Sequence, residues 1–458
     1  MDIKRWASFV SPAYFRGHEM RDALRWIGRA LLVLIVVVAV VFAAYRIRGP
    51  SFEQRAALDL LQQDRRPDHG RNAFPLLWFM GYDVADEDLD AHMAVDVAEV
   101  RKRLAAGDEA IQFVPSASKL PQPSNDDAGP CQTLENDCLH HVTEKAELTR
   151  STLKTYARLL ARAQSLEHAD FLWIEFPADY RTPMGMYSVL PQNLWLSSLA
   201  LQFVDGDHVG ALDGVCRNAR TWRRLRAATN SLIGDMVLIR YADGAIRLFG
   251  EMLAASSSDE AIPPSCMDAF RPIEAADVDR CAELSTERAV SENVMREISS
   301  TRQPYWKRVF SQLIFDPRQT VAWGAEQFTP YCGEAASRRL LADKTIDLNA
   351  VPHPLRRLEC ITSVTGCILT EIATPAYVGY DKRILDYAAH LRLAATLIWL
   401  RESPIASAAS LKERFEQRPA NLRSAGHVSG IDSEHHVLFV DSLNQVRAQR
   451  FELKLSAE

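Results

Sequence analysis

Four residues able to bind metal, Cys131, Cys138, His140 and His141, fall within the thirteen-residue stretch GPCQTLENDCLHH, Gly129 to His141. Structural zinc favours cysteines two to four residues apart, whereas six residues intervene here. Adjacent histidines at a helix start also point about 100° apart. A thioredoxin-type redox pair needs C-x-x-C, which is absent. The chemistry left to Cys131 and Cys138 is a disulfide closing a small loop, and neither a metal nor a cofactor is expected.

Three other groupings bear reactive side chains. Ser151 and Lys154 in RSTLKTY match S-x-x-K, where a lysine one helical turn away accepts a serine proton; the K-T-G strand and S-x-N loop that accompany it are missing. The segment FLWIEFPADYRTPMGMY, Phe171 to Tyr187, combines Trp173, Phe176, Tyr180 and Tyr187 with Glu175, Asp179 and Arg181. Stacking faces beside carboxylates are what glycan clefts use, so Glu175 and Asp179 are the candidate catalytic pair. A long connection burying its rings and leaving its charges wet would have the same composition. His435 and His436 open a predicted strand, with no third ligand near them. Nucleophile-elbow, zincin, P-loop and dinucleotide fingerprints are absent, which lowers the expectation of an enzyme.

What positions these residues starts with a membrane. WIGRALLVLIVVVAVVFAAYRIR, Trp26 to Arg48, carries no polar group from Ala30 to Tyr45 except the tyrosine hydroxyl. With Arg29 and Arg46 turned outward, the run reaches about the 20 residues a helix needs to cross hydrocarbon. A cleaved signal peptide is disfavoured, because signal cores run to about 7 to 15 residues. Residues 1–49 carry a charge of +5, so with -6 overall the remainder stands at -11. Arg16, Arg21, Arg25 and Arg29 before the span lean towards a cytoplasmic tail. The acidic remainder argues against a nucleic-acid partner.

All eight cysteines follow the span, as pairing in an oxidising space would produce. Cys131 with Cys138, and Cys266 with Cys281, are near enough in sequence to close loops. Cys360 and Cys367 are excluded from pairing if both stay helical, since seven residues of rise separate them by about 10.5 Å.

The fold class expected is mainly α: one N-terminal transmembrane helix, then a helical bundle or helical-repeat-like domain, with a short C-terminal β-hairpin. The divisions expected are a cytoplasmic juxtamembrane tail at 1–25, the transmembrane helix at 26–48, a helical segment at 49–115, an exposed loop at 116–130, the helical domain at 131–404 and a C-terminal segment at 405–458. Ser51 and Gln54 form a capping box, and 85–108 places acids in its first turn and bases in its last. From His141 a stripe of Val142, Ala146, Thr149, Leu153, Ala157 and Leu160 predicts one long helix. Val209 to Leu225 and Ile233 to Met252 give two more stripes. Thr374 and Pro375 are expected to start a helix that Pro404 stops. HHVLFVDS and QRFELKLS read as the two strands of the hairpin.

LALQFVDGDHVGALDGVCRNARTWRRL, Leu199 to Leu225, resembles one tetratricopeptide-type unit. EIATPAYVGYDKRILDYAAHLRLAATLIWLR and GRNAFPLLWFMGYDV resemble segments of uncharacterised proteobacterial proteins built as one anchor plus a helical part. That resemblance implies an architecture and no activity. Together these readings lead to a single-pass inner-membrane protein with a periplasmic domain. Its expected partners are the bilayer through residues 26–48 and a protein or other component of the cell envelope. The alternative is an envelope hydrolase acting on glycan or peptide through Glu175 and Asp179.

Overall fold

The computed structural model describes residues 17–111, 115, 117–123, 131, 137–183, 190–300, 314–347, 353–402, 410–443 and 450–455. Helix α1 (Gly17–Arg48) is exposed around its whole circumference from Leu24 to Val40. From Leu24 to Val40 its side chains join neither hydrophobic core of the described residues, and the helix is long and apolar enough to cross a membrane. Its last turn is fixed to the rest of the fold: the Arg46 guanidinium donates to the Asp316 carboxylate at 2.8 Å. In α2 (Phe52–Gln62) the Gln54 amide donates to Ser51 Oγ and the Ser51 amide to Gln54 Oε1, closing the capping box. The short α3 (Phe74–Trp78) and α4 (Leu89–Ala106) follow, the latter ended by Gly107 at φ 86°. The segment after it is less free than its composition implies. Leu120 is buried, and its amide and the Ser118 carbonyl pair with Gly81 and Asp83. Residues 124–130 lie outside the described residues.

One expected long helix is three: α5 (Cys138–Glu144), α6 (Ala146–Thr155) and α7 (Ala157–Ser165). Lys145 and Tyr156 leave helical geometry at φ -120° and -105°. The second break turns the stripe, so Ala157 is exposed while Leu159, Arg162 and Ala163 face inward. Buried Arg162 spends its guanidinium on the carbonyls of Phe79, Tyr82 and Val84, which an inward arginine must do to be tolerated.

The main core lies among α8 (Leu190–Val204), α9 (His208–Ala227) and α10 (Leu232–Ala255). Asp207 caps α9 through the Gly210 amide at 3.0 Å. Gly214 admits Leu199 so closely that a Cβ there would sit 2.4 Å from a Leu199 methyl. Short helices α11 (Pro264–Ala269) and α12 (Ala275–Val278) pack on α9. A second, smaller core joins α2 to α13 (Cys281–Ser300) and α14 (Pro317–Phe328), next to the end of α1. After α15 (Glu334–Leu341), α16 (Val364–Glu402) runs 39 residues. It starts ten residues before Thr374 and passes through Pro375, so the proline is internal and not a start signal. Pro404 lies outside the described residues.

Beyond α17 (Leu411–Glu416), three strands form an antiparallel sheet in the order β1 (Ser429–Asp432), β2 (Val437–Asp441), β3 (Arg450–Lys454). The expected hairpin is β2–β3, with Val440 opposite Phe451. β1, absent from the sequence reading, pairs Ser429 with Val440; its SGID has no apolar alternation to announce it. His435 and His436 belong to the exposed β1–β2 turn, not to a strand start, and His436 adopts φ 51°.

Four disulfides join Cys131–Cys138, Cys216–Cys266, Cys281–Cys332 and Cys360–Cys367. Cys266 and Cys281 therefore do not pair with each other. Helix α11 lays Cys266 on α9, and α13 lays Cys281 beside the end of α14. Cys360 and Cys367 do pair, because only Cys367 is α-helical. Cys360 sits in a 3₁₀ turn, Leu358–Thr362, and Ser363 at φ -156° folds the chain back to a Cα separation of 5.8 Å.

A charged cleft as the candidate functional site

Among the described residues, Cys131 and Cys138 close a disulfide, and Glu175 and Asp179 turn to separate partners. With its sulfurs bonded together, Cys131–Cys138 offers no thiolate to a metal. His140 instead faces Glu144 at 3.3 Å on the exposed side of α5. The stretch is held by Glu251 of α10, whose two oxygens accept the Asp137 and Leu139 amides at 2.7 Å each. This supplies a carboxylate at a helix N-terminus that lacks its own side-chain cap. Burial pushes Glu251 above the usual carboxylate range, and those two amides pull it back. Asp279, Cys281 and Cys332 lie close together, but both cysteines there are likewise spent in a disulfide. Ser151 and Lys154 are exposed on α6, with no hydrogen bond between them among the described residues.

Residues 171–183 form a strap across the main core. Asn72 accepts the Trp173 amide at 2.9 Å and donates to its carbonyl at 2.8 Å. Asn230 holds Ile174 in the same way. Phe176 packs edge-on against Trp78 and Phe74. The two carboxylates go to separate partners. Glu175 faces Arg66 at 3.3 Å and accepts from Asn72 at 3.1 Å. Asp179 takes the Arg181 fork at 2.9 and 2.8 Å, which holds its carboxyl below the usual range. Tyr180 donates to Glu297. Tyr187 lies outside the described residues.

Charged side chains converge elsewhere, in a cleft of about 520 Å³ between α10, α16 and the sheet. Arg240, Asp243 and Arg247 face it from α10, spaced so that all three share one side of the helix. Tyr380, Arg383, Asp386 and His390 face it from α16, and Ser442, Arg450 and Phe451 from the sheet; Ile233, Met236 and Val237 give it an apolar edge. His390 Nδ1 lies 2.7 Å from Asp243, and its ring stacks on Phe451 at 3.8 Å. The Arg247 guanidinium lies 4.6 Å from the same phenyl ring. Burial pushes Arg247 down from its ordinary pKa, while Asp243 opposes this. Arg240 and Arg383 have no ion-pair partner among the described residues.

Behind the cleft, buried His427 bridges two carboxylates, Asp343 at 3.3 Å and Asp386 at 3.0 Å. Burial alone would lower its pKa, but the two acids outweigh burial and raise it to about 9. An imidazolium there holds Asp386 ionised despite its burial, and Asp386 accepts from Ser442 Oγ at 2.5 Å and the Leu443 amide at 2.7 Å. A carboxylate held below its ordinary range is a poor base, so this contact fixes Ser442 and does not activate it. The Asp243–His390 pair is different: Asp243 occupies Nδ1 and leaves Nε2 without a hydrogen-bond partner among the described residues.

Sequence reasoning missed this cleft. Its signal was Arg240, Asp243 and Arg247 at i, i+3 and i+7, three of the five charges in the mostly apolar LIGDMVLIRYADGAIRLFGEMLAA. A second was a histidine in the apolar run of α16. No protein-family model matches the chain, and neither a curated protein nor a solved structure matches it.

Proposed function

We propose that the protein is a single-pass inner-membrane protein of a Gram-negative-type bacterium whose helical domain lies in the periplasm and acts by binding, as an interaction or scaffold module of the cell envelope. The observation that carries this is the combination of one exposed apolar helix with four disulfides, all on its C-terminal side. Disulfides persist in oxidising compartments. The cleft between α10, α16 and the sheet is the binding surface, with Arg240 and Arg383 supplying positive charge for an acidic group on the partner. A reporter active only in the periplasm, fused after Glu458, is expected to be active, and an inactive fusion beside an active cytoplasmic reporter overturns the orientation. Crosslinking in whole cells should then lose a partner in an Arg240→Glu, Arg383→Glu variant of unchanged melting temperature.

The hydrolase reading retains one favouring observation, the Asp243–His390 pair. His390→Gln separates the two: loss of an envelope phenotype with partner crosslinking intact favours chemistry, and loss of both together favours binding.

A further inference from the structure

An apolar face stands open beside the membrane-spanning helix. Leu355 and Leu358 are 48% and 73% exposed, and Ile361, Val364, Ile368, Leu369 and Ile372 are 42%, 42%, 44%, 40% and 71% exposed. These residues are not scattered. Leu358 and Ile361 stand three apart in a 3₁₀ turn, where such residues eclipse. Val364, Ile368, Leu369 and Ile372 occupy one side of the first turns of α16, within an arc of about 140° at 100° per residue. The 3₁₀ turn and the start of α16 are cross-linked by Cys360–Cys367. The same turn packs directly on α1. Ile47 at the end of α1 and Phe52 at the start of α2 add exposures of 86% and 76%.

A soluble surface seldom leaves so many large aliphatic groups together in water. Several charged groups among them are engaged with protein partners: Arg357 forks onto Glu326 at 2.9 and 2.7 Å, Gln54 donates to Glu359, and His353 lies 2.8 Å from Glu371. We propose that this face is a lipid-docking surface, seated in the boundary between headgroups and acyl chains of the membrane that α1 crosses. The occupant is argued from continuity, because the face adjoins the end of the spanning helix. Each isoleucine or leucine taken from water to the acyl boundary removes apolar surface from water, so even partial insertion of several fixes how the domain sits on its anchor. The disulfide keeps the two apolar segments in one plane, and the domain is held against the bilayer and not swung freely from α1. The proposal rests on α1 spanning the membrane.

The test uses the full chain, unreduced, in lipid nanodiscs. Because the native cysteines are disulfide-bonded, a single added cysteine takes an environment-sensitive fluorophore selectively. Labels at Leu358→Cys, Ile372→Cys, Val38→Cys inside α1 and Val428→Cys as an exposed distant control are compared, with quenching by lipids carrying spin labels near the headgroup. The proposal predicts blue-shifted, strongly quenched emission at 358 and 372 and aqueous, weakly quenched emission at 428. Aqueous emission at 358 and 372 while 38 reports lipid overturns the proposal alone. A blue shift there without lipid quenching also overturns it, since protein then covers the face. An aqueous signal at 38 overturns the spanning reading itself.

Discussion

His427 is the residue whose removal should show most directly how the charged cleft is held. Its ring is fully buried between Asp343 and Asp386, and Arg392 reaches Asp343 from the other side at 3.3 Å. The pKa rises from 6.5 to about 9. At about 1.4 kcal/mol per pKa unit, holding the imidazolium there favours the folded state by roughly 3 kcal/mol. The sign follows from the raised value. This stability is fully present below pH 6.5 and is lost as pH rises through about 9. Changing His427→Ala leaves Asp386 buried without its cation, a loss of about 3–5 kcal/mol for a broken buried pair. Urea denaturation of wild type and variant, followed by tryptophan fluorescence at pH 6 and at pH 9.5, should show a difference that shrinks by about 3 kcal/mol between the two. A difference under about 1 kcal/mol at pH 6, or one that does not change with pH, would refute the bridge.

Three further outcomes are expected. Cys216 and Cys266 lie 50 residues apart, so replacing both by alanine should cost about 4 kcal/mol of loop-closure entropy, read as a fall of about 5 °C in Tm for a domain of this length; no fall would mean the bond is not formed. Glu283 is fully buried near Arg226, Asp235 and Arg280, and burial, with Asp235 adding to it, raises its pKa well above the ordinary value. It therefore favours folding at low pH and progressively opposes it as pH rises above about 4.5, so Glu283→Gln should flatten the stability-pH curve between pH 5 and 8, and an unchanged slope would contradict this. Asp179→Ala should lose about 1–3 kcal/mol by freeing the Arg181 fork, while Glu175→Ala and Asp179→Ala both keep the envelope phenotype; loss of phenotype with an intact fold would restore the carboxylate pair as catalytic.

Local rules were readable wherever one helix face or one turn decided the outcome. The Ser51–Gln54 box, the stripes of α9 and α10 and the strands around Phe439 and Phe451 all follow from period and capping. Reading failed where a distant partner decides. Lys145 and Tyr156 interrupt a good stripe, and past the second break Arg162 faces inward onto the carbonyls of Phe79, Tyr82 and Val84; the disulfide partners of Cys266 and Cys281 likewise depend on where α9 and α14 lie. The cleft was hidden for the same reason. Asp243 and His390 stand 147 positions apart, and only the packing of α10 on α16 brings them within a hydrogen bond. The strap at 171–183 shows the ambiguity of composition, since carboxylates among aromatic rings describe a clamped connection as well as a glycan cleft.

The central claim, a domain held on the oxidising side of a membrane, meets its most direct test in mass spectrometry of the full-length protein. The protein is taken from isolated membranes, with thiols alkylated at lysis and no reductant added. The account predicts peptides linked 131–138, 216–266, 281–332 and 360–367 and no alkylated cysteine. Alkylated thiols at these positions in the membrane-extracted protein would contradict it.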